Sequence, residues 1–309
     1  MNLKQFKPVH WLYNLLNYKS LRHNKAAYKK YNVQKPLIAS ISSKDFPDKE
    51  SRAWLDTGNS ALLAPHKENF AAFPTSVQQQ LKDWSSNGYL ILENFFDANT
   101  VDSVNAEVDQ LQQRGKLSFT YGNKLMFANK KSKLVKSIAE DPGLKKILSF
   151  ILDKDIVAFQ TINFINGSEQ RAHSDSIHMT TYPLGYLIAA WIALEDVTHD
   201  NGPLFYFPGS HQLPYLLNND FNEGATFLTL GKKDYVDYED VIEDLVKQKN
   251  YSRKEFLARK GDVLIWHANL VHGGAPILNK NSTRKSMVVH YYATDVIKYH
   301  EITERPSLI

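Results

Sequence analysis

Cysteine is absent from all 309 residues. This excludes disulfides, thiolate metal sites and zinc of the structural finger type. Any metal must therefore be held by histidine and carboxylate. A cysteine-free chain also fits a reducing cytoplasm. Long apolar runs are missing too: no stretch approaches the roughly 18–20 apolar residues that span a bilayer. The lysine-bearing start Met1–Pro8 is not followed by an apolar core, so no signal peptide is expected. Acidic residues are lacking from positions 1–35, which carry Lys4, Lys7, Lys19, Arg22, Lys25, Lys29, Lys30 and Lys35. Trp11, Leu12, Leu15, Leu16, Tyr18 and Leu21 are interleaved with them, which reads as a basic amphipathic helix. Such a helix suits peripheral contact with an anionic membrane through residues 1–31, or an acidic substrate or partner. The plainer reading is a helix packed on the body with solvated lysines. No nucleic-acid reading motif accompanies the charge, so no nucleic-acid partner is expected.

What is present is enough for a core. A hydrophobic content of 43% over 309 residues suits one large domain with extensions, or at most two domains. Apolar spacing at Val77, Leu81 and Trp84 predicts a helix over 75–87 with Ser76 as its cap. Tyr89–Leu92 reads as a buried strand. Asp97–Arg114 repeats apolar residues at helical spacing (Val101, Val104, Val108, Leu111), with Gly115 closing it. Lys133–Ile151 is a further helical stretch. From Ile156 to about residue 299 short strands follow: Ile156–Ile165, Leu184–Glu195, Pro203–Pro208, Phe256–Ala258, Asp262–Ala268 and Ser286–Ala293, punctuated by turns such as Asn201-Gly202-Pro203. Residues 212–252 are polar and partly helical and read as a lid or pocket-wall insertion. Helices first and antiparallel strands after predict a mainly β chain with flanking helices (α+β), built as a double-sheet jelly roll. The expected partition is a basic helical leader and loop-rich extension over 1–75, a core over 76–300 and a tail over 301–309.

One constellation carries chemistry. His173-Ser174-Asp175 precedes His272-Gly273-Gly274 by about a hundred residues, and Arg284 follows twelve residues after His272. Residues i and i+2 of a strand point the same way, so His173 and Asp175 can share one metal at a strand or its end. Two histidines and a carboxylate on one face of an iron leave the other face open, the ligand pattern of non-haem Fe(II) oxygenases. Arg284 supplies the planar fork that the distal carboxylate of 2-oxoglutarate needs. His267 offers a rival second histidine, and His178 stands close to the first pair. Trp191 is either core or a wall of the co-substrate pocket. Thr161 and Asn163 share a strand face and are candidate co-substrate donors, with Gln160 on the opposite face as the rival. His173 alone reads as a loop histidine, and Arg284 alone as a surface ion pair. Their order and spacing lift them above that.

The text around these residues resembles the phytanoyl-CoA dioxygenase family. The resemblance runs through Trp84–Phe96, Gln170-Arg171-Ala172-His173-Ser174-Asp175, Trp191–Leu204, Pro208-Gly209-Ser210-His211 and His272 to Arg284, covering about residues 80–295. It implies a double-stranded β-helix of cupin type, with Fe(II), 2-oxoglutarate and O2. It implies His173, Asp175 and His272 as iron ligands, Arg284 as the partner of the distal carboxylate, and Trp191 as a wall of that pocket. Gly274 departs from the many members that carry serine there. Related halogenases have a small residue at the position of Asp175, so the carboxylate implies hydroxylation, with succinate and CO2 as co-products. The expected substrate is a small molecule, a lipid or a sugar. A peripheral hydroxylase of an anionic lipid head group or lipid-linked sugar, and a non-catalytic jelly-roll binding protein, are the competing readings.

Overall fold

Side chains along the central strands alternate between two apolar faces, and this alternation builds the molecule in layers. The computed structural model describes residues 5–221, 225–231 and 235–309. Lys4 of the leader, and residues 222–224 and 232–234 of the 212–252 segment, lie outside these. In chain order the strands are β1 Tyr89–Leu92, β2 Phe119–Thr120, β3 Lys124–Met126, β4 Ile156–Phe164, β5 Thr180–Tyr182, β6 Leu187–Ala193, β7 Leu204–Tyr206, β8 Lys254–Phe256, β9 Val263–His267, β10 His272–Gly274, β11 Ser286–Ala293, β12 Ile297–His300 and β13 Arg305–Pro306. The order β1-β9-β6-β11-β4-β3-β2 makes a seven-stranded sheet. The orders β10-β7-β8 and β13-β12-β5 make two three-stranded sheets. The pairings are antiparallel throughout.

On one face of the large sheet, Ile188, Ala190 and Ile192 of β6, Val263 and Ile265 of β9, and Met287 and Val289 of β11 pack on helices. These are Ala98–Gln113, Lys133–Ala139 and Pro142–Leu152, which contribute Val104, Val108, Ile138, Leu144 and Ile147. On the other face Ala189, Trp191, Leu264, Trp266 and Val288 meet Leu204, Tyr206 and Phe256 from β7 and β8. Because both faces of β6 are buried, it reads as a continuous apolar run rather than an alternating one. The fold is the expected double-stranded β-helix with flanking helices.

Several local expectations are corrected. The helix expected over 75–87 is two helices, Thr75–Lys82 and Trp84–Asn87, and Pro74 rather than Ser76 holds the cap position. The strand expected at Phe256–Ala258 is centred two residues earlier. The hairpin β2–β3 and the strands β5, β12 and β13 had no clear signal. Asp97, which the sequence reading did not single out as a cap, caps its helix by accepting from the Thr100 amide at 2.9 Å.

The leader forms helices Lys7–Leu16 and Asn24–Lys30 that lie on the body. Helix Lys7–Leu16 is inside-out. Its buried residues are Lys7, His10 and Asn14, whereas Leu12 is 60% and Leu16 77% exposed. The buried face is held by polar contacts. Lys7 Nζ pairs with Glu304 at 2.7 Å and donates to the Thr226 carbonyl at 2.8 Å, and Asn14 donates to the Ile38 carbonyl at 2.9 Å. Among the described residues no helix is long and apolar enough to cross a membrane.

Candidate metal centre

His173 and His272 meet through the backbone before their side chains meet. The His173 amide donates to the His272 carbonyl and the His272 amide to the His173 carbonyl, each at 2.9 Å. The two glycines after His272 allow this approach. A Cβ on Gly273 would collide with the Gln170 carbonyl and the Phe205 ring, and one on Gly274 with Ser168. The turn before His173 therefore lies flat on β10 only because β10 carries no side chains there. The same contact addresses the glycine at 274. The Ser168 hydroxyl occupies the space where a residue 274 side chain would stand, and Ser168 lines the same cavity.

Asp175 does not extend a strand from His173. It opens the 3-10 turn Asp175–Ile177, and His173 stands in an isolated bridge to His272, so the pair lies in the β4–β5 connection rather than on a strand or its end as expected. One ligand atom from each of His173, Asp175 and His272 lies within 4.8 Å of the others. His173 Nδ1 contacts the Arg171 carbonyl at 2.8 Å, and His272 Nδ1 the Leu270 carbonyl at 2.9 Å. A carbonyl only accepts, so each Nδ1 carries the proton and each Nε2 keeps its lone pair. Nε2 of His272 stands 3.9 Å from Asp175 Oδ1. Burial holds His272 below the usual imidazole value, and burial with the adjacent His272 holds His173 well below it. Both rings are therefore neutral at neutral pH. Burial alone would push the Asp175 carboxyl up, but His272, His290 and His173 beside it hold it below the usual carboxylate range. Two neutral imidazoles with free lone pairs and one ionised carboxylate, all buried, are a donor set that fits a divalent iron.

The surroundings fix these ligands. Trp266 Nε1–H donates to Asp175 Oδ2 at 2.8 Å, and the Trp266 ring lies 4.5 Å from that of His272. His290 Nε2 is 3.6 Å from Asp175 Oδ2. The Ser174 amide donates to the Tyr238 hydroxyl at 3.0 Å, while Arg171 pairs with Asp240 at 2.6 Å and Glu243 at 3.0 Å. Helix Tyr235–Gln248 thus pins the His173-Ser174-Asp175 segment from outside.

The triad opens into a cavity of about 810 Å³, which His173, Asp175, His272, Arg284 and Trp191 all line. Arg284 is buried. Its Nε–H donates to the Gly202 carbonyl at 3.1 Å and Nη1–H to Ser286 Oγ at 2.8 Å. Its guanidinium carbon lies 5.4 Å from the Trp191 ring centroid and 5.8 Å from that of Phe164. No carboxylate among the described residues pairs with it. Burial lowers its pKa to about 10, so it stays charged. A buried cation aimed into a cavity without a carboxylate leaves room for an anionic ligand.

Three candidates from the sequence fall elsewhere. His267 lies on the opposite face of β9 from Trp266. Its Nε2–H donates to Asp56 at 2.9 Å and its Nδ1 accepts from the Asn269 amide at 2.9 Å, so it cannot reach the triad. Thr161 and Asn163 face away from the cavity, because β4 alternates and it is Gln160, Ile162 and Phe164 that line it. Thr161 instead donates to Asn129 Oδ1 at 3.1 Å. Sequence reasoning missed His290. Counting by two from Arg284 through Ser286 and Val288 would have put it on the cavity face. It also missed Lys124, Tyr13 and Arg305, which reach the cavity from elements with no motif.

The family model for phytanoyl-CoA dioxygenase (PhyH) matches residues 84–286. The chain belongs to that family, and membership carries the enzyme class, an iron- and 2-oxoglutarate-dependent dioxygenase. Phytanoyl-CoA dioxygenase domain-containing protein 1 of Danio rerio is 26% identical over 219 residues, covering 66% of this chain and 68% of that one. Peroxisomal phytanoyl-CoA dioxygenase of Homo sapiens is 22% identical over 293 residues, covering 85% and 77%. Among solved structures, the non-haem α-ketoglutarate-dependent carbocyclase SnoK of nogalamycin biosynthesis superposes with a TM-score of 0.58 at 18% identity, covering 74% of this chain and 87% of that one. EctD from S. alaskensis with 2-oxoglutarate and 5-hydroxyectoine gives 0.58 at 19% identity, covering 82% and 86%. At these identities the structural likeness speaks for the fold.

Proposed function

From that membership we propose that the chain hydroxylates an unactivated C–H bond of a small-molecule, lipid or sugar substrate. His173, Asp175 and His272 hold the iron, and Arg284 receives the distal carboxylate of 2-oxoglutarate against the Trp191 wall. The observation that carries the reading is the pair of free Nε2 lone pairs facing an ionised Asp175. When bound, the iron with O2 and 2-oxoglutarate supplies the oxidising power for hydroxylation, and succinate and CO2 leave as co-products. The protein's share is placement. Trp266 and His290 hold the carboxylate, the Nδ1 contacts hold the rings, and aromatic walls keep water from Arg284. The test is Asp175→Gly: it should lose both metal binding and substrate-dependent succinate release. A variant with full hydroxylase activity would overturn the assignment.

A second reading places this enzyme at an anionic membrane. It is favoured by the inside-out helix, whose Leu12, Leu15 and Leu16 face solvent within residues 1–35, which carry no acidic residue. Sedimentation with phosphatidylserine vesicles should pull down the wild type and not a Leu12→Gln, Leu16→Gln double variant. Equal recovery of the two would remove this reading and leave the hydroxylase proposal untouched.

A further inference from the structure

The cavity is strongly asymmetric in charge. Its lining carries three permanent cations, Lys124, Arg284 and Arg305, against one described carboxylate, Asp175. If the proposed function holds, ferrous iron and Arg284 contribute three positive charges. Asp175 and 2-oxoglutarate contribute three negative ones. Lys124 stands within electrostatic reach of Asp175, His272 and His178 and so adds to that reacting centre, whereas Arg305 is left uncompensated apart from it.

Neither has a carboxylate partner among the described residues. Lys124 Nζ donates to the neutral Gln170 amide at 3.3 Å, and Arg305 Nε donates to Thr303 Oγ1 at 3.4 Å. Arg305 lies 5.9 Å from the Tyr13 ring centroid. His300 sits beside it, buried and neutral, with burial and then Arg305 lowering its pKa to about 4. A positive, half-dry groove with donors converging on it is electrostatically costly unless an anion fills it. Phe159, Met179, Ile302 and Leu308 line the same cavity and give it apolar wall.

We propose that Arg305, with Tyr13 and Thr303, forms an oxyanion-binding subsite that holds the carboxylate or phosphate of an amphipathic substrate, whose apolar body runs toward the metal centre. This rests on the hydroxylase reading for its purpose but not for its binding chemistry. Tyr13, Thr303 and Arg305 all lie outside residues 84–286, so the subsite belongs to this chain's own leader and C-terminal strands rather than to the matched span. It places the choice of substrate in the segments that pack Lys7 on Glu304.

The experiment uses three probes of one chain length, octanoate, octyl phosphate and octanol, added below their aggregation limits. They are titrated into full-length protein loaded anaerobically with Fe(II) and 2-oxoglutarate. Binding is read by tryptophan fluorescence, since Trp191 and Trp266 line the cavity, and the visible iron–2-oxoglutarate band is followed alongside. The expected result is that at least one anionic probe binds about tenfold or more tighter than octanol, and that Arg305→Gln removes that preference while Arg305→Lys keeps part of it. Preference for octanoate over octyl phosphate, or the reverse, names the oxyanion. Octanol binding as tightly as both anions, or Arg305→Gln binding them like wild type, would overturn the subsite. Loss of the iron band in wild type, with the fluorescence preference retained, would instead overturn the hydroxylase reading and leave the subsite standing.

Discussion

Trp266 Nε1–H points at Asp175 Oδ2 across 2.8 Å, joining β9 of the seven-stranded sheet to the 3-10 turn that carries the carboxylate. The indole therefore turns one carboxylate oxygen and leaves Oδ1 toward His272. Trp266→Phe keeps the ring packed on His272 and removes only the donor. Metal affinity should fall about tenfold or more, within the range usual for partners that orient ligands, with the fold retained. Calorimetric titration with Fe(II) or Mn(II) alongside circular dichroism checks this, and unchanged affinity would assign Trp266 to packing alone.

Arg284 is expected to bind the co-substrate and not the metal. Arg284→Lys loses the planar fork and Arg284→Met loses the charge. Truncating one partner of a buried charge pair costs about 2–5 kcal/mol, so 2-oxoglutarate affinity should fall roughly 30-fold or more in Arg284→Met. Metal affinity measured without 2-oxoglutarate should stay near wild type.

The alternation of β4 separates two neighbours. Gln160→Ala should change the apparent KM for 2-oxoglutarate or substrate with little change in melting temperature. Thr161→Val should do the opposite, costing about 1 kcal/mol through the lost hydrogen bond to Asn129 while leaving both KM values alone. The reverse pattern would mean that β4 is displaced by one residue in register.

Acid should destabilise the apo-protein before the carboxylates titrate. Burial lowers His23 and His300 to about 4 and His211 to about 3, from an ordinary value of 6.5. Below pH 6.5 the unfolded chain takes up protons at these rings and the folded chain does not. Stability is therefore full above 6.5 and falls as pH drops toward 4, by several kcal/mol on the order-of-magnitude rule for linked protons. Urea melts of metal-free protein at pH 7.5 and pH 5 measure the fall. His211→Asn should make it shallower.

The legible parts of the sequence were those where local pattern and tertiary role coincide. Strand Ser286–Ala293 and helix Ala98–Gln113 carry their own signals, and the order His173, Asp175, His272, Arg284 survives because chemistry demands those residue types. The boundary at Lys82 was lost because Asp83 breaks the helix without interrupting its apolar spacing. Thr161 and Asn163 were placed on the wrong side because β4 is buried on both faces, so polarity does not mark its orientation. The inside-out helix was read as an ordinary amphipath. Its buried Lys7 depends on Glu304, almost three hundred residues away, and no local pattern encodes that pairing.

The most direct test of the whole account is anaerobic titration of the apo-protein with Fe(II) and 2-oxoglutarate, in wild type, His272→Ala and His267→Ala, following the visible charge-transfer band of the iron–2-oxoglutarate chelate. A band in wild type and His267→Ala that is lost in His272→Ala is the expected result. A folded wild-type protein that gives no band, or a band that survives His272→Ala and disappears in His267→Ala, would contradict it.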